Sequence, residues 1–266
     1  QPAYKAGLKT GDLIIAVNKK STMNMELQEV VSEIKKKENK KVVLTIYRDK
    51  KSKDYTVKKS SVQLDTVSYK MKEKKIGYIA VSQFLENTGD QFDKAVTALE
   101  KKGMRSLIID LRDNGGGLLN TCTQMVSRVI DKDKLIVYTK DKEGNKEEFK
   151  SDSGKTLEIP IIILVNGNTA SASEIMTGCL KDYGKATVVG TTTYGKGIVQ
   201  NIMPLTDGSA IKFTIAKYYT PNGTDIHKKG IKPDVKVKMS DAQWKKAQTD
   251  EKADKQLKKA IELLEK

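Results

Sequence analysis

"IPIIILVNGNTASASEI", residues 159–175, decides how the chain folds. Its first seven residues are all apolar, which suits a strand covered on both faces, as inside a parallel sheet. A short polar loop follows. Ser171 then stands three residues before Glu174, the spacing of a capping box, and 171–182 reads as a helix. A buried strand feeding a helix through a short loop is the repeating unit of a layered α/β domain. Ligands in such domains bind beyond the carboxyl ends of the strands. Two loops meet that condition. One is "NGNTAS" after the 159–165 strand; the other is "RDNGGG" after a second doubly apolar strand, "RSLIIDLR" at 105–112.

Working outward, "IGYIAVSQF" at 76–84 is a strand. The helix "TGDQFDKAVTALEKKG" after it places Phe92, Val96 and Leu99 on one side and is closed by Gly103. Residues 134–140 and 144–151 read as a hairpin, and 186–190, "GIVQNIMPL" and "SAIKFTIAKYYT" as further strands. A smaller pattern precedes this core: strand 11–18, a helix over 25–37 with Leu27, Val30, Val31 and Ile34 on one face, and strands 41–48 and 53–62. The expected organisation is a small α+β module at 1–62, an α/β core at 63–239 and a lysine-rich helical tail at 240–266. Leu257, Ile261 and Leu264 share one face of that tail, suited either to its own core or to a homodimer contact.

Hydrophobic residues make up 38% of the 266, in clear runs, so a packed core is expected and global disorder is not. The net charge is +15, mostly lysine scattered as in "KKKENKK" at 35–41. A nucleic-acid reader more often gathers arginine and aromatic residues on one surface. Peripheral attraction to an anionic membrane or cell wall suits this charge as well. Cys122 and Cys179 make no disulfide framework and read as buried thiols on amphipathic helices. No run approaches the ~20 apolar residues that cross a bilayer. No signal peptide is visible, and the opening "QPAYKAGLKTGDLI" reads as the middle of a domain.

The chemistry turns on Ser171. A helix N-terminus offers unpartnered N–H groups and a positive dipole, so a serine there has its oxygen beside groups that hold a developing oxyanion. The same serine is also an ordinary helix cap. A nucleophilic serine needs a base, and the chain's single histidine, His227, sits in a polar loop and reads as a loop residue. In "TYGKGIVQ", Lys196 lies between two glycines at the start of an apolar strand, and Gln200 falls on the same strand face. A lysine among apolar neighbours is desolvated, which favours the neutral amine, and a neutral amine can activate a serine. A glutamine can orient it without adding charge. The same spacing also describes an amphipathic edge strand. The three glycines of "RDNGGG" allow close backbone approach to a ligand. The phosphate-loop and dinucleotide patterns are missing, and no cluster has metal-ligand spacing, so no cofactor or metal is expected.

Together "GLKTGDLIIAVN", "DLRDNGGGL", "NTASASEI", "GKGIVQ" and "YYTPNGTDIHKKGIKPDV" resemble the carboxyl-terminal processing (tail-specific) proteases, from residue 1 to about 239. The resemblance implies a layered α/β core of crotonase/ClpP-like shape and a serine endopeptidase that cleaves exported proteins near their C-termini. It implies Ser171 as nucleophile, Lys196 as general base and Gln200 as its assistant. The implied oxyanion donors are the N–H groups of Ala172 and of Gly116, chosen from the glycines at 115–117. The opening module resembles a PDZ domain that engages the substrate's C-terminus. It is N-terminally incomplete: the strand and carboxylate-binding loop expected before "AYKAGLKTGD" are not in the chain. The family further implies export, to the periplasmic or extracellular side of a bacterial envelope. Three other readings compete. An inactive PDZ-containing scaffold predicts a gap at Ser171, Lys196 or Gln200. An acyl-CoA enzyme of crotonase shape predicts neither the serine nor the Lys/Gln strand. A nucleic-acid binder rests on charge alone.

Overall fold

The structure is a computed structural model that describes residues 2–36, 40–60, 64–152 and 156–265. Contacts divide the chain into two compact units, 1–64 and 65–266, where the change of pattern suggested 62; residues 61–63 lie outside the described residues. The first unit runs α1 (Pro2–Lys5), β1 (Leu13–Val17), β2 (Lys20–Ser21), α2 (Leu27–Lys35), β3 (Lys41–Arg48) and β4 (Lys51–Lys58). Its strands form one sheet in the order β2-β1-β3-β4. Val17, Val42, Leu44, Ile46 and Val57 are buried in its small core, with Val30 and Ile34 of α2 packed against them.

The second unit begins with β5 (Val67–Met71), β6 (Ile76–Val81), α3 (Thr88–Lys101), β7 (Ser106–Asp110), α4 (Leu119–Ser127), β8 (Leu135–Asp141) and β9 (Lys146–Lys150). It continues through β10 (Ile161–Val165), α5 (Ala172–Asp182), β11 (Ala186–Gly190), β12 (Ile198–Pro204), β13 (Ala210–Tyr219), β14 (Val235–Lys236), α6 (Asp241–Ala247) and α7 (Lys255–Leu264). The main sheet has the order β14-β11-β10-β7-β6-β5 and is parallel except for β5 against β6. A separate antiparallel sheet has the order β12-β13-β8-β9.

The period of two along the central strands sorts the core into two layers. Leu107, Ile109, Ile161, Ile163 and Val165 face the cluster that buries Phe92, Val96, Leu99, Met125, Ile175 and Met176 of α3, α4 and α5. Ile108, Ile162, Leu164 and Val189 face the other way, onto Leu257 and Ala260 of α7, with Ile261 and Leu264 packed beside them. The tail is therefore part of the second unit. The face offered as a homodimer contact is used by its own core, where it packs on Ile108, Ile162, Leu164 and Val189. Full burial of a leucine such as Leu257 contributes about 2 kcal/mol. Cys122 and Cys179 are both buried, and burial pushes the Cys122 thiol up to about 12 and raises the Cys179 thiol as well. Neither is a thiolate near neutrality. Among the described residues no helix is long and apolar enough to cross a membrane.

Candidate active site

The loops after β7 and β10 meet at the carboxyl end of the sheet. They are joined at Asn114, which is fully buried. Its carbonyl accepts the Ala170 N–H and the Ser173 hydroxyl, each at 3.0 Å. Its side chain donates to the Val81 carbonyl at 2.8 Å and accepts the Gly116 N–H at 2.9 Å. The two serines of "SAS" thereby take different roles. Ser173 is fully buried and tied to the neighbouring loop, whereas Ser171 is half-buried at the mouth of α5.

Ser171 is the N-cap of α5 and adopts φ 58, ψ −119, a conformation that ordinarily belongs to glycine. Such a residue costs on the order of 1–3 kcal/mol and persists only where its surroundings over-determine it. The capping-box arrangement with Glu174 is present, although the Ser171 hydroxyl accepts no full hydrogen bond from a helix N–H. Much of the constraint comes from Glu174, which is fully buried. Its Oε2 accepts the N–H of Ser171 at 2.9 Å and the N–H of Lys196 at 2.8 Å. Its Oε1 accepts the Gly195 N–H at 2.7 Å and the Thr193 hydroxyl at 2.5 Å. One carboxylate oxygen thus seats the backbones of Ser171 and Lys196 as neighbours, from segments 25 residues apart in the chain. The sequence shows Glu174 only as a capping partner; its bonds to 193–196 exist only once the chain has folded back.

Lys196 and Gln200 differ from the sequence expectation. Lys196 lies in the loop before β12, not on it, and is half-buried; Gln200 is exposed. The β12–β13 ladder also shifts register between Val199 and Gln200, so four-residue spacing along one flat strand does not describe the pair. Among the described residues no hydrogen bond joins the Ser171 hydroxyl, the Lys196 amine and Gln200; the link runs through Glu174 and the backbone. The Lys196 segment is held from outside as well. Lys228 donates its N–H to the Gly195 carbonyl at 2.8 Å, and a Cβ on Gly197 would lie 2.4 Å from the His227 nitrogen. His227 therefore packs behind the Lys196 loop rather than standing apart, and its Nδ1 is buried without a partner.

The donors near Ser171 also differ in part. Ala172 N–H has no partner among the described residues, as expected of the first turn of a helix. The Gly116 N–H is engaged by Asn114 inside its own turn; the Gly115 and Gly117 N–H groups have no partner among the described residues. Gly116 instead supplies clearance. At φ 96 it lies so close to Ser171 that a Cβ would meet the Ala170 carbonyl oxygen at 2.7 Å, Ser171 Cβ at 2.8 Å and Ala172 N at 2.9 Å. Gly116→Ala is therefore expected to destabilise the fold by about 1–3 kcal/mol, from overpacking and a left-handed φ together. Urea denaturation measures it; a loss under about 0.5 kcal/mol would mean that the loop yields.

Both loops are bound behind the site by Asp113. Its Oδ1 accepts the side-chain amides of Asn166 and Asn168, each at 2.8 Å, and its Oδ2 accepts the Trp244 indole N–H at 2.8 Å. Burial opposes the charge, but the donors Asn168, Asn166 and Trp244 outweigh it and hold the Asp113 carboxyl below its ordinary range. The stability it contributes is present at neutral pH and is lost as pH falls through that depressed value. No group of three or more His, Cys, Asp or Glu suited to a metal occurs among the described residues.

Comparison with known proteins follows the two units. Residues 75–237 match peptidase family S41, and residues 1–48 match a PDZ domain. The chain is 42% identical over 238 residues to a probable CtpA-like serine protease of Staphylococcus aureus, covering 89% of this chain and 48% of that protein. It is 41% identical over 241 residues to the carboxy-terminal processing protease CtpA of Bacillus subtilis, covering 90% and 52%. The chain thus spans about half the length of the curated relatives it matches. Among solved structures, the photosystem II D1 C-terminal processing protease is 30% identical with a TM-score of 0.61, over 89% of this chain and 65% of that one. A putative S41 protease of Bacteroides fragilis superposes with a TM-score of 0.64 at 18% identity, over 100% of this chain and 75% of that one, which shows a shared fold.

Proposed function

This chain belongs to peptidase family S41, and from that premise we propose that it is the PDZ and catalytic portion of a serine endopeptidase that trims proteins near their C-termini. One observation carries the reading. Glu174 Oε2 binds the Ser171 and Lys196 amides together, and so sets a strained, half-buried serine beside a lysine at a helix N-terminus.

In this mechanism the amine of Lys196 takes the proton of Ser171 Oγ as that oxygen attacks the scissile carbonyl. The oxyanion is held by the Ala172 N–H and by an amide of the glycine run, with Gly117 in place of the engaged Gly116. The protonated amine then gives its proton to the leaving nitrogen, and water hydrolyses the acyl-enzyme by the reverse sequence. Lys196 reaches Ser171 by swinging a flexible four-carbon side chain from a loop flanked by Gly195, at φ 90, and Gly197. Gln200 orients the amine once it has moved. The substrate is an exported protein or peptide engaged by its C-terminus at the PDZ unit. The site of action is the outer side of a bacterial envelope, where the excess of lysine suits an anionic surface. No nucleic acid and no cofactor enter the reaction.

The test is covalent. A fluorophosphonate that phosphonylates activated serines is expected to add one adduct per chain, mapped to Ser171 by peptide mass. An adduct on Ser173, or none at probe concentrations that label other serine peptidases, would overturn the reading.

A further inference from the structure

The chain's single tryptophan, Trp244, lies on α6, a seven-residue helix that buries no residue of its own. Such a helix has little reason to hold its place by core packing. What holds it is Trp244. The indole ring stacks on the Arg112 guanidinium, 4.5 Å from the ring centroid, and its N–H donates to Asp113 at 2.8 Å. Arg112 is itself buried and pinned. It pairs with Asp110 at 2.5 Å and with Asp254 at 2.8 Å, and it donates to Gln256 at 3.1 Å. Asp254 and Gln256 also belong to the C-terminal segment, and Asp254 caps α7 through the Leu257 N–H. The segment therefore grips two adjacent residues, Arg112 and Asp113, at the point where β7 runs into the glycine loop.

Asp113 belongs to the glycine loop and is bonded both to the tail, at Trp244, and to the loop that carries Ser171, at Asn166 and Asn168. It opens the 113–117 loop at φ 58 and accepts the amides of Asn166 and Asn168, which lead into Ser171. Asn166 returns a bond, its Oδ1 accepting the Asp113 N–H at 3.0 Å. We propose that Trp244 is a positioning residue: through Asp113 it fixes the spacing of the glycine loop and the Ser171 loop, and so the geometry between nucleophile and oxyanion donors. The C-terminal segment is then a strap across the back of the site, as well as a cover for the sheet. The catalytic half of this inference rests on Ser171 being the nucleophile; the structural half does not.

Two features make Trp244 the part to remove. Its contact with Asp113 is a hydrogen bond to a charged acceptor, whose loss is felt as about tenfold in an equilibrium. Trp244→Phe deletes that bond and keeps an aromatic face over Arg112. Trp244→Ala deletes both. Lys245→Ala, exposed on the same helix, touches neither and serves as control.

The experiment measures amide hydrogen exchange and fluorophosphonate inactivation on the whole chain. In Trp244→Phe, exchange at 113–118 and 166–171 is expected to rise about tenfold. Exchange in α7 and the Tm should stay near wild type. The limiting inactivation rate should fall by a similar factor with half-saturation unchanged, because the loss is of alignment and not of probe binding. Trp244→Ala should do more and Lys245→Ala nothing. Unchanged loop exchange in both tryptophan variants would overturn the strap. So would a uniform rise across the second unit, which marks general destabilisation. Loops that loosen in a protein whose wild type takes no label would uphold the strap and remove the nucleophile.

Discussion

Ser171→Ala is expected to lose peptide hydrolysis by on the order of 10⁴-fold or more, leaving what binding and oxyanion donors supply alone. Ser173→Ala is expected to stay within a few-fold of wild type. The difference follows from where each hydroxyl points. Ser173 Oγ donates to the Asn114 carbonyl at 3.0 Å inside the protein, and that carbonyl keeps the Ala170 N–H when the hydroxyl is removed. Its loss therefore costs about 1 kcal/mol of stability. A third variant separates chemistry from strain. Because Ser171 sits at φ 58, Ser171→Gly should be as inactive as Ser171→Ala yet more stable by about 1 kcal/mol. Steady-state kinetics and urea denaturation of the three variants check these outcomes together. Equal loss of activity in Ser173→Ala, with the fold intact, would move the nucleophile.

Lys196→Ala and Lys196→Arg are both expected to fall to the level of Ser171→Ala. A guanidinium keeps its charge but does not release its proton near neutrality, so arginine conserves size and sign while deleting the base. The structure makes this a clean substitution. Glu174 binds the Lys196 main-chain N–H, not its amine, so either variant keeps the clamp that holds the loop. Loss of activity then reports the side chain and not a collapsed site. Gln200→Ala should retain activity within about tenfold, since the proposed role of Gln200 is to orient the amine and not to take a proton. The measurement is kcat/KM for the three variants beside wild type. Near-normal turnover in Lys196→Arg would remove the dyad and leave "GKGIVQ" as a loop that enters an edge strand.

Much of this architecture is already in the pattern of side chains. The doubly apolar runs at 105–112 and 159–165 suit central strands, and their alternate residues do divide between two core layers. The capping spacing of Ser171 and Glu174 marks where α5 starts, and the two loops of interest follow because they stand at strand ends. These features are local, set by periodicity and by the partners a helix end requires, and local rules read directly from sequence. What tertiary structure alone decided is long-range. Glu174 looks like a cap and is also the link between the Ser171 and Lys196 segments. Gly116 looks like a donor, yet Asn114 takes its N–H and leaves it the task of clearance. Lys196 and Gln200 are spaced for one strand face, but the strand begins after the lysine and its register shifts before the glutamine. Leu257 and its neighbours could face a core or a second copy, and only their packing on the sheet chooses between them. Trp244 carries no motif and meets Asp113 from 131 residues away. In each case a hydrogen-bonding or apolar group has many acceptable partners along the chain, and the choice is made by which of them the packed layers bring within reach.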